Sequence, residues 1–450
     1  MSESKFDQHK VDHLFLLIGE NPLPNYVAAN LLLNKGGTPY LVYTTGTEIS
    51  AKRLKRILDS ESKGFKPTQF VPIGEYESDA YHIREIIRSI IATLKTQSIG
   101  LNYTGGTKAM SVHSYRTMFY EELNNKTYIQ REGILFSYLD PRRLEMCIDR
   151  EGNERVRIPV TAKQLSVELG KVFQIHGWTW RETSRPIDIP QLPNAATAFA
   201  NFHNDEKLIK IWRTWCNEVL RKHTKNSNNY WLPENQLTQK DELSNLPLQA
   251  QLDNKVIELK KYEAINEALI SLGITGESLS LSAIQKQGLK SLEEVCKWLD
   301  GEWLEHYVLQ QVLNIPKSIY IHDAATSFWI KNPINSKNTK FQFDVAFMRG
   351  YQLFAISCTT IERKFDCKSK LFEAYIRAQQ LGGIEARVAL VCCASPDDVN
   401  ALETEIINVL NPTPDDINKN YKLAVFGRED LAELSTRIGE WIRNNEAKQK

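Results

Sequence analysis

Ile99-Gly100-Leu101-Asn102-Tyr103-Thr104-Gly105-Gly106-Thr107-Lys108-Ala109-Met110 is the stretch that decides the fold of the N-terminal third. Its first five residues read as a short buried strand, and a helix pattern runs on from Thr107 to about residue 123. Two glycines and two threonines sit between them, where a strand hands over to a helix. Working outward, continuous apolar runs at 13–18, 39–45 and 69–73 read as further strands buried on both faces. Helix patterns at 25–34, 50–60 and 80–95 alternate with them, and 133–139 and 143–149 read as a strand pair around Asp140-Pro141. This rhythm predicts an α/β domain with a doubly wound, Rossmann-like sheet over residues 1–154.

In such sheets ligands bind at the carboxyl ends of the strands. Three polar loops fall there. One contains Gly19, Asn21 and Pro22, one contains Thr44 and Thr45, and one runs Asn102-x-Thr104-Gly105-Gly106-Thr107-Lys108. Glycines let backbone amides approach an anion, and the first amides of a helix have no partner of their own. The threonine hydroxyls and the Lys108 cation add to a site suited to a phosphodiester. The G-x-x-x-x-G-K-[ST] spacing of a triphosphate loop is absent, and so is G-x-G-x-x-G after the first strand. A tight turn with a helix cap is the bland alternative for the same residues.

The Gly-Gly-Thr-Lys loop, with the early Gly-x-Asn-Pro-x-Pro loop, resembles the CRISPR-associated Rossmann-fold (CARF) sensors over roughly residues 10–150. The resemblance implies a homodimer with one pocket on its two-fold axis. The implied activator is a cyclic oligoadenylate, most often cyclic tetra-adenylate, whose repeated phosphates suit two identical loops.

Residues 291–450 carry a second pattern. A helix contains Gly301-Glu302-Trp303-Leu304-Glu305, and two strands follow, with Asp344 on the first and Ser357-Cys358-Thr359 on the second. This order resembles the PD-(D/E)xK restriction-endonuclease-like nucleases, an α/β/α fold. The resemblance implies metal-dependent phosphodiester hydrolysis, with Asp344 and Glu305 holding Mg2+ or Mn2+ and RNA or DNA as substrate. In that family the second strand reads Glu-x-Lys; here Ser357 and Thr359 stand in those places. Three explanations compete. The roles have migrated to the following residues, Glu362, Lys364, Lys368, Lys370 or Glu373, with Lys364 and Lys368 the preferred lysines; Ser357 and Thr359 serve as neutral ligands; or the domain binds without cutting. Glu302 competes with Glu305 as the site-facing carboxylate, and Lys370, Arg377 and Gln379 could line a nucleic-acid groove. Cys358 alternates away from Ser357 and Thr359 into the core, and His306 is isolated and structural.

Residues 155–290 read as a helical linker or insertion, of winged-helix type, with helices at 205–223, 252–272 and 279–299. The 450 residues carry 56 basic and 55 acidic side chains, so a nucleic-acid contact has to come from local charge. Seven scattered cysteines with no C-x-x-C argue against a disulfide frame and a zinc site, and fit a reducing compartment. The polar N-terminus and the lack of a long apolar run predict a cytoplasmic protein with no membrane span. The combined expectation is a cyclic-oligoadenylate-activated nuclease, or, from the Ser357/Thr359 departure, a ligand-responsive nucleic-acid-binding regulator.

Overall fold

The computed structural model describes residues 4–447 apart from 62, 95–97, 124–126, 151–153, 181–185, 332–339 and 411–421. The first sheet holds β1 (Val11–Leu17), β2 (Leu33–Thr44), β3 (Gln69–Gly74), β4 (Ile99–Asn102), β5 (Leu135–Asp140), β6 (Glu145–Arg150) and β7 (Glu154–Pro159), in the order β3-β2-β1-β4-β5-β6-β7. The first five are parallel, and β5, β6 and β7 form an antiparallel meander. Strand order reverses between β1 and β4, which makes the ends of those strands the switch point where α/β sheets bind ligands. One face is covered by α1 (Leu23–Leu32) and α2 (Glu48–Ser60), the other by α3 (Ala80–Ile91) and α4 (Lys108–Phe119). The helix expected at 25–34 begins two residues earlier because Pro22-Leu23-Pro24 suits a first turn.

The second sheet holds β8 (Thr179–Trp180), β9 (Asp323–Lys331), β10 (Lys340–Arg349), β11 (Gln352–Thr359), β12 (Arg387–Cys392) and β13 (Leu423–Phe426), in that order. It is antiparallel through β11 and parallel from β11 to β13. Helix α6 (Trp303–Leu313) packs on one face, and α7 (Lys364–Gly382) on the other; α8 (Pro396–Leu410) and α9 (Leu434–Ala447) complete the layers.

A short helix, α5 (Leu169–Ile175), lies between the two sheets and touches α2, α7 and β10. Its Phe173 stacks on Phe343 with ring centroids 5.8 Å apart. Apolar packing therefore runs unbroken from the α1/α2 face of the first sheet to the α7 face of the second.

Residues 155–290, read from the sequence as one helical unit, contribute β7 and β8 to the two large sheets before turning helical at 193–202, 206–215 and 263–271. A hairpin of Gln249–Leu252 and Lys255–Glu258 occupies the start of the helix expected at 252–272. Asp253 (φ 51°) and Asn254 (φ 62°) form its left-handed two-residue turn, a pairing that favours a hairpin over a helix. The helical part packs on α6 through Phe199, whose ring lies 4.9 Å from Trp212, 5.2 Å from Trp298 and 5.7 Å from Trp303. No helix among the described residues is long and apolar enough to cross a membrane.

Candidate functional site

At the switch point the loops after β1 and β4 touch through bare backbone. A β-carbon on Gly105 would stand 2.3 Å from the Leu17 carbonyl oxygen and 2.9 Å from the Gly19 amide nitrogen. One on Gly19 would stand 3.2 Å from the Gly106 nitrogen, and Gly106 itself has φ 76°. These glycines are needed for loop-on-loop contact, whatever binds above them. Thr107 caps α4, accepting from the Met110 amide at 3.1 Å and donating to the Glu77 carbonyl at 2.9 Å. Gly106 and Lys108 are exposed at the opening of α4, whose first amides have no intrahelical acceptor.

Other residues expected at the ligand are spent inside the protein. Asn102 is buried and donates to Ser137 Oγ at 3.1 Å, and Thr104 Oγ1 accepts from the Leu139 amide at 2.8 Å. Thr44 is buried, its amide donating to Thr47 Oγ1 at 3.1 Å, while Thr45 is exposed. Pro22 is buried. Asn21 Oδ1 accepts from the Leu23 amide at 3.0 Å and lies 2.9 Å from His176 Nε2 on the residue after α5. Asn21 also reaches the far end of α7. A β-carbon on Gly383, the residue that ends α7 at φ 66° and ψ −160°, would stand 2.0 Å from Asn21 Nδ2. Burial holds the His176 ring near a pKa of about 4. Sequence reading missed both His176 and Gly383; neither sits in a motif, and only the fold brings them to Asn21.

The second sheet brings together Asp344 and Ser357, with Glu305 nearby. Asp344 stands opposite Ser357, and its Oδ2 accepts from Ser357 Oγ at 2.9 Å and from the Cys358 amide at 2.8 Å. Glu305 arrives from α6 on the other side of the sheet and accepts from Ser327 Oγ at 2.6 Å. Ser327 has φ 54°, a left-handed backbone that turns its hydroxyl toward Glu305. The helix is kinked at Gly301, and Glu302 and Glu305 follow three residues apart on one of its faces. Burial and the neighbouring Asp344 and Glu302 push the Glu305 carboxyl well up; burial pushes Glu302 up to about 7 and raises Asp344. Three carboxylates that disfavour one another's charge form a local excess of negative potential.

Among the described residues no three His, Cys, Asp or Glu side chains form a ready cation cage. The donor chemistry nonetheless fits a hard divalent ion. Asp344 and Glu305 each keep one carboxylate oxygen outside the hydrogen bonds given above, and oxygen donors with mutual repulsion are what Mg2+ or Mn2+ neutralises.

A cavity of about 300 Å³ opens beside Asp344 and Ser357 and is lined on its far wall by Lys370, Glu373 and Arg377 of α7. Lys364 and Lys368, the lysines preferred from the sequence, are placed elsewhere: both pair with Glu405 of α8, Lys368 at 2.9 Å. Those two lysines, Lys364 foremost, hold the Glu405 carboxylate down at about 2. Thr359 is buried, accepts from the Ile361 amide at 3.2 Å and does not line the cavity. Cys358 is buried in the core as expected. His306 is buried too, held at about 4 by burial, and its Nδ1 accepts from the Gln191 amide at 3.3 Å.

Residues 292–445 match the family described as the Card1-like endonuclease domain. In three dimensions the chain is similar to the protein VC1899 from Vibrio cholerae, with a TM-score of 0.65 at 16% identity over 96% of this chain and 98% of that one. It is also similar to Can2 from Sulfobacillus thermosulfidooxidans, whose structure was determined in complex with cyclic tetra-adenylate, with a TM-score of 0.60 at 14% identity over 97% of this chain and 98% of that one. No curated protein matches the chain in sequence.

Proposed function

We propose that this chain, which carries a Card1-like endonuclease domain, is a metal-dependent nuclease switched on by a cyclic oligoadenylate, with cyclic tetra-adenylate the first ligand to test. One observation carries the reading: Asp344 lines an open cavity inside the endonuclease domain with Glu305 near enough to feel its charge, while a glycine-built loop pair stands at the switch point of the other sheet. We assign sensing to residues 1–154 and cleavage to 291–450, with 155–290 between them. The overall likeness to Can2, solved with cyclic tetra-adenylate, supports the choice of ligand.

Asp344 and Glu305 would hold Mg2+ or Mn2+, which when bound supplies Lewis-acid stabilisation of the charge that develops on a phosphate oxygen. The chain's own residues do the rest. Ser357 and the Cys358 amide fix the Asp344 carboxylate, and Ser327 fixes Glu305, so both keep their geometry before substrate arrives. Arg377 sits with its guanidinium 4.7 Å from the centre of the Phe341 ring at the cavity's edge, placed to meet a phosphate of RNA or DNA.

A homodimer fits the exposed apolar side chains around α3 and α4, namely Tyr76 (49% exposed), Tyr81 (62%), Val112 (59%) and Tyr120 (43%). Seven free cysteines, six of them buried, suit a reducing compartment such as the cytoplasm. Asn21 is the physical link between sensing and cutting, since one side chain of the ligand loop touches α5 and the end of the cavity-lining helix α7. The ligand acts only if it binds the cutting-competent arrangement more tightly than the resting one.

The test is cleavage of labelled single- and double-stranded RNA and DNA with Mg2+ or Mn2+, with and without cyclic tetra-adenylate. Cleavage should need both metal and ligand, vanish in Asp344→Ala, and require more ligand in Lys108→Ala. The missing Glu-x-Lys pair favours one second reading, a regulator that binds nucleic acid in response to ligand. Ligand-dependent binding without cleavage by the parent protein would establish it. Absence of calorimetric heat with every oligoadenylate ring would remove the sensing half.

A further inference from the structure

Strand β11 presents Ser357 to the cavity and Thr359 two residues further along, so it offers neither a second carboxylate nor a cation there. Across the cavity the α7 face formed by Lys370, Glu373, Ala374 and Arg377 looks at Asp344, spaced three and four residues apart as one face of a helix requires. Ala374 is small and leaves the room that the longer side chains project into. Lys370 and Glu373 line the same cavity of about 300 Å³ as Asp344 and Ser357. Among the described residues neither Lys370 nor Glu373 enters an ion pair, unlike Lys364 and Lys368, which Glu405 occupies.

We propose that α7 supplies what β11 lacks: Glu373 is a metal-binding carboxylate that faces Asp344 across the cavity, and Lys370 is the catalytic cation facing the attacked phosphate. The inference rests on the nuclease reading above and names the residues that complete its site. In the step they serve, a water oxygen forms a new bond to phosphorus and the bond from phosphorus to the leaving sugar oxygen breaks. One water proton passes through solvent to that leaving oxygen, giving a phosphomonoester and a free hydroxyl. Lys370 donates N–H to a non-bridging oxygen as negative charge gathers there, and Ser357, by holding Asp344, keeps the carboxylate in place.

The experiment uses the full chain with cyclic tetra-adenylate and has two readouts. Mn2+ binding is followed by the free-ion paramagnetic resonance signal, and cleavage by gel. Glu373→Gln should weaken Mn2+ binding by about 10- to 100-fold. Lys370→Gln should leave Mn2+ affinity unreduced while cleavage falls by about 100-fold or more, with Lys370→Arg recovering part of it. Lys368→Gln, which loses only its partner Glu405, should behave as the parent. Parent-like Mn2+ affinity in Glu373→Gln, or parent-like cleavage in Lys370→Gln, overturns the inference while Asp344→Ala remains inactive. If Asp344→Ala also binds Mn2+ and cuts as the parent does, the nuclease reading of this site fails first.

Discussion

Gly383→Ala tests whether the ligand loop and the cavity-lining helix are coupled. Two costs follow from the structure. The backbone at φ 66° and ψ −160° lies in a region nearly reserved for glycine, where another residue costs about 1–3 kcal/mol. The new methyl would also stand 2.0 Å from Asn21 Nδ2 and 2.7 Å from Glu385 Oε2, so the Asn21 side chain has to swing away. Asn21 then gives up the Leu23 amide at 3.0 Å and the His176 ring at 2.9 Å, each contact worth about 0.5–1.5 kcal/mol. The second cost exists only while Asn21 is present. A double-mutant cycle with Asn21→Ala, read as cyclic tetra-adenylate affinity by calorimetry and as the ligand concentration for half-maximal cleavage, isolates it. We expect an interaction energy of about 1 kcal/mol or more, a shift of about fivefold or more beyond the sum of the single variants. If the two substitutions are additive to within about 0.3–0.5 kcal/mol in both readouts, Asn21 does not link the two sites and the proposed route is refuted.

Gly105→Ala puts a methyl 2.3 Å from the Leu17 carbonyl, which is backbone and cannot turn aside; the ligand loops should part, and oligoadenylate affinity should fall by about tenfold or more, with parent-like affinity counting against the loop assignment. Glu302→Gln addresses the carboxylate cluster. Burial lifts the Glu302 pKa from 4.5 to about 7, so the folded state binds the extra proton between those values, and the metal-free protein loses stability as pH rises from about 4.5 through 7. The variant should show little gain near pH 4.5 and a gain of roughly 3 kcal/mol at pH 8, visible as a higher thermal transition; an equal offset at both pH values would contradict it.

Most strands of both sheets were legible because buried strands read as continuous apolar runs, as in Leu14–Ile18 and Val388–Cys393, whereas Glu154–Pro159, Thr179–Trp180 and Asp323–Lys331, with polar residues interleaved, were not. That Asp344 lies on a strand and Glu305 on the helix before it was legible from the sequence. The choice among the lysines after β11 was not, and the reason is helical phase. Cys367, Leu371, Ala378 and Leu381 form the buried stripe of α7. Lys370, Ala374 and Arg377 fall on one flank of that stripe, Lys364 and Lys368 on the other, and sequence alone does not say which flank faces Asp344. At the ligand loops the glycines were found, but side chains taken for ligand contacts, Asn102 and Thr104 among them, hold the strand ends together.

The packing of α5 against α2 has a consequence for the safety of the host cell. A stray protease that clipped the chain upstream of α5 would not set an unsupervised cutter loose. It would bare the apolar surface that α5 shares with α2, and a fragment so stripped is expected to clump and be cleared.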